Sequence, residues 1–267
     1  MFDKTRLPVI FDCHIHMPTE EGFCLRWIPK KLTPQDMVDY LDRLGIAGAI
    51  LISTPGARPQ SHAEVVAGHR QIARVIDRYP GRFTGGIVVN PRWLDEALDE
   101  IAYCRRELNF ACLGECTAYM SGYSYDDPGF AAMVAKAIEL DLFISVHAAA
   151  KEIDAMAQRW PAATFIMPHF PEMGGLADLE SMLRRRRNVY FDICGSQYVR
   201  VGLLEMAVSA AGAERVMFGS DYTICDPATV IARVAYADIS EQDKAQVFSR
   251  TILKLLAERG VTFNFQQ

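Results

Sequence analysis

The chain has 267 residues, of which 50% are hydrophobic and 23% are charged, and its formal net charge is -5 at pH 7. This acidic balance offers no basic field for the phosphates of a nucleic acid, and no apolar run approaches the roughly 20 residues that a membrane span requires. We therefore expect a globular protein that works on a small molecule, with neither nucleic acid nor membrane as a partner.

The cysteines and the N-terminal residues indicate the cellular compartment in which the protein is expected. The chain has seven cysteines, an odd number, and no two of them form a Cys-x-x-Cys pair. Several lie in or beside apolar runs, where cysteine usually acts as a small hydrophobic residue. Residues 1–7 carry charges and lack the apolar stretch of a secretory signal. We expect a reducing, cytoplasmic location without a disulfide framework.

Apolar strand-like runs alternate with helix-like segments along the whole chain. The predicted strands cover residues 9–13, 49–52, 83–89, 110–116, 142–146, 164–167, 189–193 and 215–218. The predicted helices cover residues 34–44, 61–79, 93–108, 128–140, 151–159, 176–187, 199–210, 227–235 and 240–258. The first helix has the clearest start, because Thr33 is a good N-cap and Pro34 suits the first turn. A loop rich in Gly and Tyr, residues 119–127, follows the fourth strand.

This alternation predicts an α/β protein built as a single (β/α)8 TIM barrel. Eight strand–helix units follow one another without a break in composition, so we expect one domain over residues 1–267. The strands are rich in Val, Ile and Phe, as parallel strands buried on both faces should be. A doubly wound sheet is the alternative, but no Gly-x-Gly-x-x-Gly follows the first strand.

Four of the six histidines lie at or directly after the end of a predicted strand. His14 and His16 follow the first strand, His147 the fifth and His169 the sixth. In a barrel these strand ends form the catalytic face. An i, i+2 spacing in extended chain puts His14 and His16 on one side of the strand, and imidazole is the commonest metal ligand in proteins. The pattern indicates a metal site at this face.

Two acids end predicted strands at the same face. Glu115 ends the fourth strand, and Asp221 follows the eighth. A carboxylate can complete an imidazole set around a catalytic Zn ion that activates water, and a carboxylate near that water can move its proton. The remaining histidines, His62 and His69, fall in a helix pattern, where we expect surface residues or residues that support the site from behind.

Each of these residues also has an ordinary structural interpretation. His147 and His169 could be hydrogen-bonded core histidines, Glu115 could be an ion-pair partner, and Asp221 could cap the following helix. A lone His-x-His is a weak signal. The metal-site prediction therefore depends on the combination, in which ligand-type residues lie at the ends of five strands.

This combination resembles the amidohydrolase superfamily of metal-dependent barrel hydrolases. The most similar part of it is the amidohydrolase-2 branch, which includes aminocarboxymuconate-semialdehyde decarboxylase, resorcylate decarboxylases and several lactone hydrolases. The residues that carry the resemblance are His14, His16, His147 in Ser145–Ala148, His169, residues 219–222, residues 74–83, and Asn90 with Pro91. Phe170 and Pro171, and Thr223 after Tyr222, depart from the pattern of the branch, and so does the segment 250–252.

The resemblance implies roles for these residues. His14, His16, His147 and Asp221 would bind a divalent metal, usually Zn, and His169 would polarise the substrate or activate water. Asp221 would also serve as the proton shuttle. Glu115 resembles the strand-four glutamate of the metal-dependent deoxyribonuclease branch, which bridges two metals, so one or two ions are both open. A homodimer is often found in the branch.

Substrate contacts are expected from the loops at the catalytic face. Arginine would suit a substrate carboxylate, because it pairs with it through two hydrogen bonds. The candidates are Arg26 and Trp27 after the first strand, Arg58 after the second, and Tyr119, Tyr123 and Tyr125 after the fourth.

The leading functional prediction is a metal-dependent hydrolase of a small anionic or cyclic ester, lactone or amide. The alternative is a metal-dependent, non-oxidative decarboxylase of a small carboxylic acid, because fold and ligand set are shared while the chemistry differs. A metal-dependent nuclease and a non-catalytic binding barrel have less support.

Overall fold

A computed structural model describes residues 7–22, 28, 30–53 and 59–265. Eight parallel strands follow one another in chain order around a nearly closed barrel, which confirms the (β/α)8 prediction. The strands are β1 Ile10–Met17, β2 Ile46–Ser53, β3 Phe83–Ile87, β4 Cys112–Cys116, β5 Phe143–Val146, β6 Thr164–Pro168, β7 Val189–Asp192 and β8 Val216–Met217.

Helices lie between the strands and after the last of them. They are α1 Pro34–Leu44, α2 His62–Arg78, α3 Leu94–Glu107, α4 Ala118–Ser121, α5 Pro128–Glu139, α6 Ala150–Arg159, α7 Leu176–Arg185, α8 Leu203–Ala211, α9 Pro227–Ala235, α10 Glu241–Ala245 and α11 Thr251–Ala257. The start of α1 follows the sequence prediction: the Thr33 side chain accepts from the Asp36 amide, and the Asp36 carboxylate accepts from the Thr33 amide. Such a reciprocal cap satisfies two amides that the first turn leaves unpaired. Within the described residues, no helix is long and apolar enough to cross a membrane.

Two buried clusters hold the barrel together. The larger one packs the helices onto the outside of the strands. The second joins side chains from six different strands, including Phe11, Phe143 and Met217, to α11 and to the C-terminal Phe263 and Phe265. Side chains from strands around the ring can meet in this way only inside the barrel. The interior is thus a packed core, and the site chemistry is left to the strand ends.

The barrel closes between its first and last strands through loop residues. β8 has only two residues, and the hydrogen bonds to β1 come from the residues that follow it: the Cys13 amide donates to the Phe218 carbonyl at 2.9 Å, and the Asp221 amide donates to the His14 carbonyl at 2.9 Å. An isolated bridge also joins Ile15 to Tyr222. These contacts between residues 13–15 and residues 218–222 form the β1–β8 seam. The seam places the residues after β8 beside the β1 histidines.

The structure differs from the sequence prediction in several boundaries. β1 runs to Met17 instead of ending near residue 13, so the two β1 histidines lie within the strand. The predicted 119–127 loop begins with the short helix α4. The predicted 199–210 helix starts only at Leu203, after Gly202 at φ +87°, because a left-handed residue cannot continue a helix.

The predicted closing helix, 240–258, is broken by a wide π turn at Gln246–Arg250. In this segment the Val247 carbonyl accepts a hydrogen bond from the Phe218 amide at 2.8 Å. A π turn frees a carbonyl from the regular helical ladder, and here that carbonyl satisfies an amide directly after β8. The break therefore has a tertiary cause that helical periodicity does not reveal.

Candidate metal centre

The two β1 histidines point their ring nitrogens at each other. His14 Nε2 and His16 Nε2 lie 3.3 Å apart, and both residues are buried. Their side chains share one side of β1 because they are two residues apart in a strand. Two imidazole nitrogens at this separation can converge on one cation.

Asp221 adds a carboxylate to this pair across the β1–β8 seam. Its Oδ1 lies 3.2 Å from His16 Nε2 and 3.9 Å from His14 Nε2. Burial raises the pKa of Asp221, but the neighbouring His16, His14 and His169 lower it below its usual 3.8. Asp221 is therefore held as a carboxylate, and its backbone φ of +63° turns the loop after β8 at this point.

Glu115 lies between two groups of histidines. Its Oε2 is 3.6 Å from both His14 Nε2 and His16 Nε2. Its Oε1 is 2.9 Å from His147 Nδ1 and 3.2 Å from His169 Nε2. Although burial raises the pKa of Glu115, His14 and the other rings hold it well below its usual value. Glu115 is thus an anion that connects both groups.

His147 and His169 form the second group, at the ends of β5 and β6. Their ring centroids are 4.5 Å apart, and their side chains are 37% and 18% exposed, against 1% for His14. The donor atoms of His14, His16 and Asp221 lie within 4.8 Å of one another, and so do those of Glu115, His147 and His169. The structure therefore brings all the predicted metal-site residues to one face, but in two sets.

Asp192 is a site residue that the sequence analysis missed. Its Oδ2 lies 2.9 Å from His14 Nδ1, and its Oδ1 accepts from the Cys194 amide at 3.1 Å. Burial lowers the pKa of His14, but Glu115 and Asp192 together raise it well above its usual value. Asp192 ends an apolar strand, as Glu115 does, so the same argument from strand ends could have identified it.

Asp12 and Cys194 support the site from behind. Asp12 Oδ1 accepts from the amides of His14 and Ser220, each at 3.0 Å, and so joins the two sides of the seam. Burial raises the pKa of Asp12 to about 7. Cys194 Sγ lies 3.4 Å from His14 Nδ1 and 3.2 Å from His169 Nδ1. These contacts fix the orientation of rings that face the centre.

His69, which the sequence analysis placed at the surface or behind the site, is fully buried and structural. Its Nδ1 lies 2.8 Å from Glu100 Oε1, and its Nε2 accepts from the Val88 amide at 3.0 Å. Arg70 completes the network by two bonds to the same Glu100 carboxylate. Both ring nitrogens of His69 are used, so this cluster connects α2, α3 and the end of β3 and has no free ligand.

The donor set fits a divalent metal ion. Asp221 Oδ1 is buried and makes no hydrogen bond within the described part of the chain, although His16 Nε2 lies 3.2 Å away. A ring nitrogen and a carboxylate oxygen that approach this closely without a hydrogen bond are typical of ligands that share a cation. Bonds of about 2.1 Å place neighbouring ligands of a tetrahedral ion roughly 3.4 Å apart, which matches the separations around His14, His16 and Asp221.

Charge supports the same conclusion. Three carboxylates at this end of the barrel are 1–6% exposed: Asp192, Glu115 and Asp221. Among the residues that the structure describes, none of them has a Lys or Arg within 4.0 Å, and their ion-pair partners are histidines. Buried anions need a counter-charge or a ligated metal, so a cation fits here electrostatically.

A cavity of about 480 Å³ opens beside the second group. His147 and His169 line it together with aromatic side chains, namely Tyr119, Tyr123, Tyr125 and Phe170. Its described lining contains no Lys or Arg. Tyr119 is 67% exposed, and its ring centroid lies 5.1 Å from that of His147. The cavity therefore has room and aromatic walls for a small ring compound.

The cavity wall and the metal centre are joined through Tyr125. Its hydroxyl lies 2.8 Å from the Cys116 carbonyl and 2.9 Å from the His147 carbonyl, and it accepts from the Ala118 amide. Tyr125 thus ties the end of β4 to the end of β5 and steadies the backbone of His147. Three of the predicted substrate contacts, Arg26, Trp27 and Arg58, lie outside the described residues.

A family model described as Amidohydrolase matches residues 11–257. No curated protein matches the chain. Solved structures with the same fold match over nearly the whole length, at low sequence identity.

Three of these structures illustrate the range. A dihydroxybenzoic acid decarboxylase from Polaromonas sp. JS666, with bound manganese and the inhibitor 2-nitroresorcinol, is 16% identical with a TM-score of 0.75, covering 94% of this chain and 97% of its own. A 5-carboxyvanillate decarboxylase from Novosphingobium aromaticivorans, also with manganese, is 17% identical with a TM-score of 0.71, covering 96% and 97%. A candidate 2-pyrone-4,6-dicarboxylic acid hydrolase from Pseudomonas putida is 15% identical with a TM-score of 0.69, covering 93% and 97%.

Proposed function

Because the chain belongs to the amidohydrolase family, whose model matches residues 11–257, we propose that it is a metal-dependent decarboxylase of a small aromatic carboxylic acid. The sequence favours hydrolysis and keeps decarboxylation as the alternative; the structural comparisons support the reverse order, because decarboxylases of hydroxylated benzoates are among the similar structures. The observation that carries the proposal is an aromatic-walled cavity of about 480 Å³ beside a buried ligand set.

His14, His16 and Asp221 would hold the ion, with Glu115 Oε2 on the fourth side. When bound, a divalent ion supplies positive charge that binds a carboxylate and draws electron density from it. The described cavity lining has no Lys or Arg to do this, which is one reason to assign the substrate carboxylate to the metal side. The sequence predicts Zn, whereas two of the similar structures hold manganese; elemental analysis of the purified protein decides between them.

The bond changes in this reaction are simple. The bond between the ring carbon and the carboxylate breaks, carbon dioxide leaves, and the electron pair that stays on the ring carbon takes up one proton. We assign the movement of this proton to Asp221, and the orientation of the ring to His169 in the cavity wall. Tyr119, Tyr123 and Phe170 would pack against the ring faces and edges.

Hydrolysis of a lactone or a related cyclic ester is the second candidate. It is favoured by the similarity to the Pseudomonas putida structure and by Asp221, a buried carboxylate that could take a proton from water. Hydrolysis releases an acid, whereas decarboxylation consumes a proton and releases carbon dioxide. The two candidates therefore change the pH in opposite directions in an unbuffered solution from which carbon dioxide is continuously removed by a gas stream.

The experiment assays the metal-loaded protein on 2,6-dihydroxybenzoate, 5-carboxyvanillate and 2-pyrone-4,6-dicarboxylic acid. Carbon dioxide and pH are followed together. We expect carbon dioxide release and a pH rise on an aromatic acid, both lost in Asp221→Asn and kept in Asp178→Asn, a partly exposed acid on α7. A pH drop without carbon dioxide, or turnover that Asp221→Asn leaves intact, would overturn the proposal.

A further inference from the structure

We propose that the cavity beside the metal centre selects an aromatic monocarboxylate with a hydrogen-bond donor on the far side of its ring, and that Glu152 makes this selection. The inference rests on the proposed function, because it takes the reacting carboxylate to lie on the metal side. It names the ring substituent that the outer part of the cavity accepts, a hydroxyl or an amino group, and the one that it rejects, a second carboxylate.

The first observation is the charge of the cavity lining. Glu152 is the one Asp or Glu side chain among the described lining residues, and none of them is Lys or Arg. Apart from the two histidines, the other polar side chains of this lining carry neutral hydroxyls: Tyr119, Tyr123, Ser124 and Tyr125. A substituent that reaches the described wall near Glu152 therefore meets a negative charge and no positive one.

The second observation is the position of Glu152 relative to the metal centre. It lies in the first turn of α6, directly after the loop that carries His147. Glu152 is exposed, whereas the side chains of His169 and Glu115 are only 18% and 4% exposed. The cavity thus leads from the metal centre at its inner end to Glu152 at its mouth. An aromatic acid whose carboxylate lies at the centre directs the opposite position of its ring towards Glu152.

The third observation is that one oxygen of Glu152 is fixed and the other is available. Oε2 accepts from the Ala149 amide at 2.9 Å, which holds the side chain against the start of α6. Within the described residues, Oε1 has no hydrogen bond, and no Lys or Arg lies within 4.0 Å of this carboxylate. Oε1 can therefore accept from a hydroxyl or an amino group of a ligand, and hydrogen bonds to an ionised acceptor are among the stronger ones.

The charge of Glu152 also acts on the cavity wall. Burial is the main cause that raises the pKa of Tyr125, and the negative charge of Glu152 adds to it. The Tyr125 hydroxyl lies 2.9 Å from the His147 carbonyl, so this charge acts on the wall beside the centre. A second carboxylate on the ligand would be repelled there and would lose water without gaining a counter-charge.

Two basic residues at this end of the barrel are paired with acids outside the cavity. Lys151, next to Glu152, lies 3.3 Å from Asp178 and is 79% exposed. Arg200 lies 4.0 Å from Glu172. Neither of them lines the cavity, so neither supplies a counter-charge for a second carboxylate.

The test measures binding and needs no turnover. The probes are 4-hydroxybenzenesulfonate and 4-sulfobenzoate, in which a sulfonate replaces the reacting carboxylate and cannot leave as carbon dioxide. They differ only at the opposite ring position, where the first has a hydroxyl and the second a carboxylate. In titration calorimetry with the Mn²⁺-loaded protein, we expect the hydroxyl probe to bind about 10-fold more tightly than the carboxylate probe.

Glu152→Gln keeps an oxygen for the Ala149 amide and removes the charge. We expect this variant to bind the two probes within about 3-fold of each other, and Glu152→Arg to prefer the carboxylate probe. Glu139→Gln is the matched control, because it makes the same substitution at a side chain that is 53% exposed at the end of α5. It should keep the preference of the parent.

Three results would overturn the inference: a parent that binds both probes equally, a parent that binds neither, and a preference that Glu152→Gln leaves unchanged. The proposed function is decided separately, by carbon dioxide release from aromatic acids. A chain that prefers the hydroxyl probe through Glu152 but releases no carbon dioxide would contradict the proposed function alone.

Discussion

Asp192 holds Nδ1 of His14 at 2.9 Å, and this contact decides which nitrogen of the ring faces the centre. With Nδ1 directed at the carboxylate, Nε2 is the nitrogen that points at His16, Glu115 and Asp221. The other oxygen of Asp192 accepts from the Cys194 amide. The orientation of a buried ligand is thus set by a residue that itself lies outside the ligand set.

The first prediction concerns Asp192→Asn. His14 Nδ1 and the Cys194 amide contact different oxygens of Asp192. Asparagine has an oxygen at only one of these two positions. At the other position its NH2 group would face a second donor, so one of the two hydrogen bonds is lost. We expect metal affinity to fall about 10- to 100-fold, measured by titration of the stripped protein with Mn²⁺. Asp178→Asn is the matched control, since that acid is partly exposed on α7. An affinity equal to the parent's would show that Asp192 does not orient the ring.

The second prediction concerns Gly219→Ala. A Cβ at Gly219 would lie 2.2 Å from Asp192 Oδ1, so the aspartate must move. We expect a loss of about 1–3 kcal/mol in the free energy of unfolding, as overpacking in a core typically costs, together with weaker metal binding. Gly174→Ala is the control, because a Cβ there meets nothing within 4 Å. Equal stability of the two variants in urea would contradict this prediction.

The third prediction concerns Glu100→Gln, away from the centre. The Glu100 carboxylate accepts from His69, Arg70 and Cys104, and a glutamine amide would present a donor to one of these donors. We expect a loss of about 2 kcal/mol in the free energy of unfolding at pH 7. Glu107→Gln, at the exposed end of α3, should change it little.

This third effect depends on pH in a defined direction. Burial raises the pKa of Glu100, but His69, Cys104 and Arg70 lower it below the usual 4.5. A group with a lowered pKa contributes stability that is present above its unfolded-state pKa and lost as pH falls through its folded-state pKa. The difference between parent and Glu100→Gln should therefore be constant near neutrality and shrink below pH 4.5. A difference that grows towards acid pH would refute the assignment.

The fourth prediction concerns Tyr119→Ala and depends on the proposed function. The Tyr119 ring stands at the cavity mouth beside His147 and would contribute about 1 kcal/mol of aromatic contact to a bound ring. We expect KM for an aromatic acid to rise about 3- to 10-fold, with a smaller change in kcat. Tyr103→Ala, on α3 against Arg70, is the control. An unchanged KM would remove Tyr119 from the substrate contacts.

The barrel was predictable from the sequence because its signals are local. Alternating strand and helix patterns, the cap at Thr33 and ligand-type residues at strand ends all depend on short segments. That His14, Glu115, His147 and Asp221 meet at one face follows from the barrel itself, because the carboxyl ends of parallel strands lie together.

The grouping inside the centre was not predictable in this way. The side-chain rotamers and the β1–β8 seam decide which ring each oxygen of Glu115 faces. Neither can be predicted from local sequence patterns. The π turn at Gln246–Arg250 accepts a hydrogen bond from the Phe218 amide, which is distant in sequence. The substrate roles of Arg26, Trp27 and Arg58, the homodimer and the cytoplasmic location stay predictions.

The position of the metal centre at the seam between β1 and β8 connects metal binding to the stability of the barrel. Only short pairing closes the barrel there, yet His14 and Asp221 face each other across it. An ion held by both would act as a cross-link between residues about 200 positions apart, and an ion that binds the folded but not the unfolded chain stabilises the folded state. The metal would then stabilise the closure of the barrel, and its removal would weaken the barrel first where the first and last strands meet.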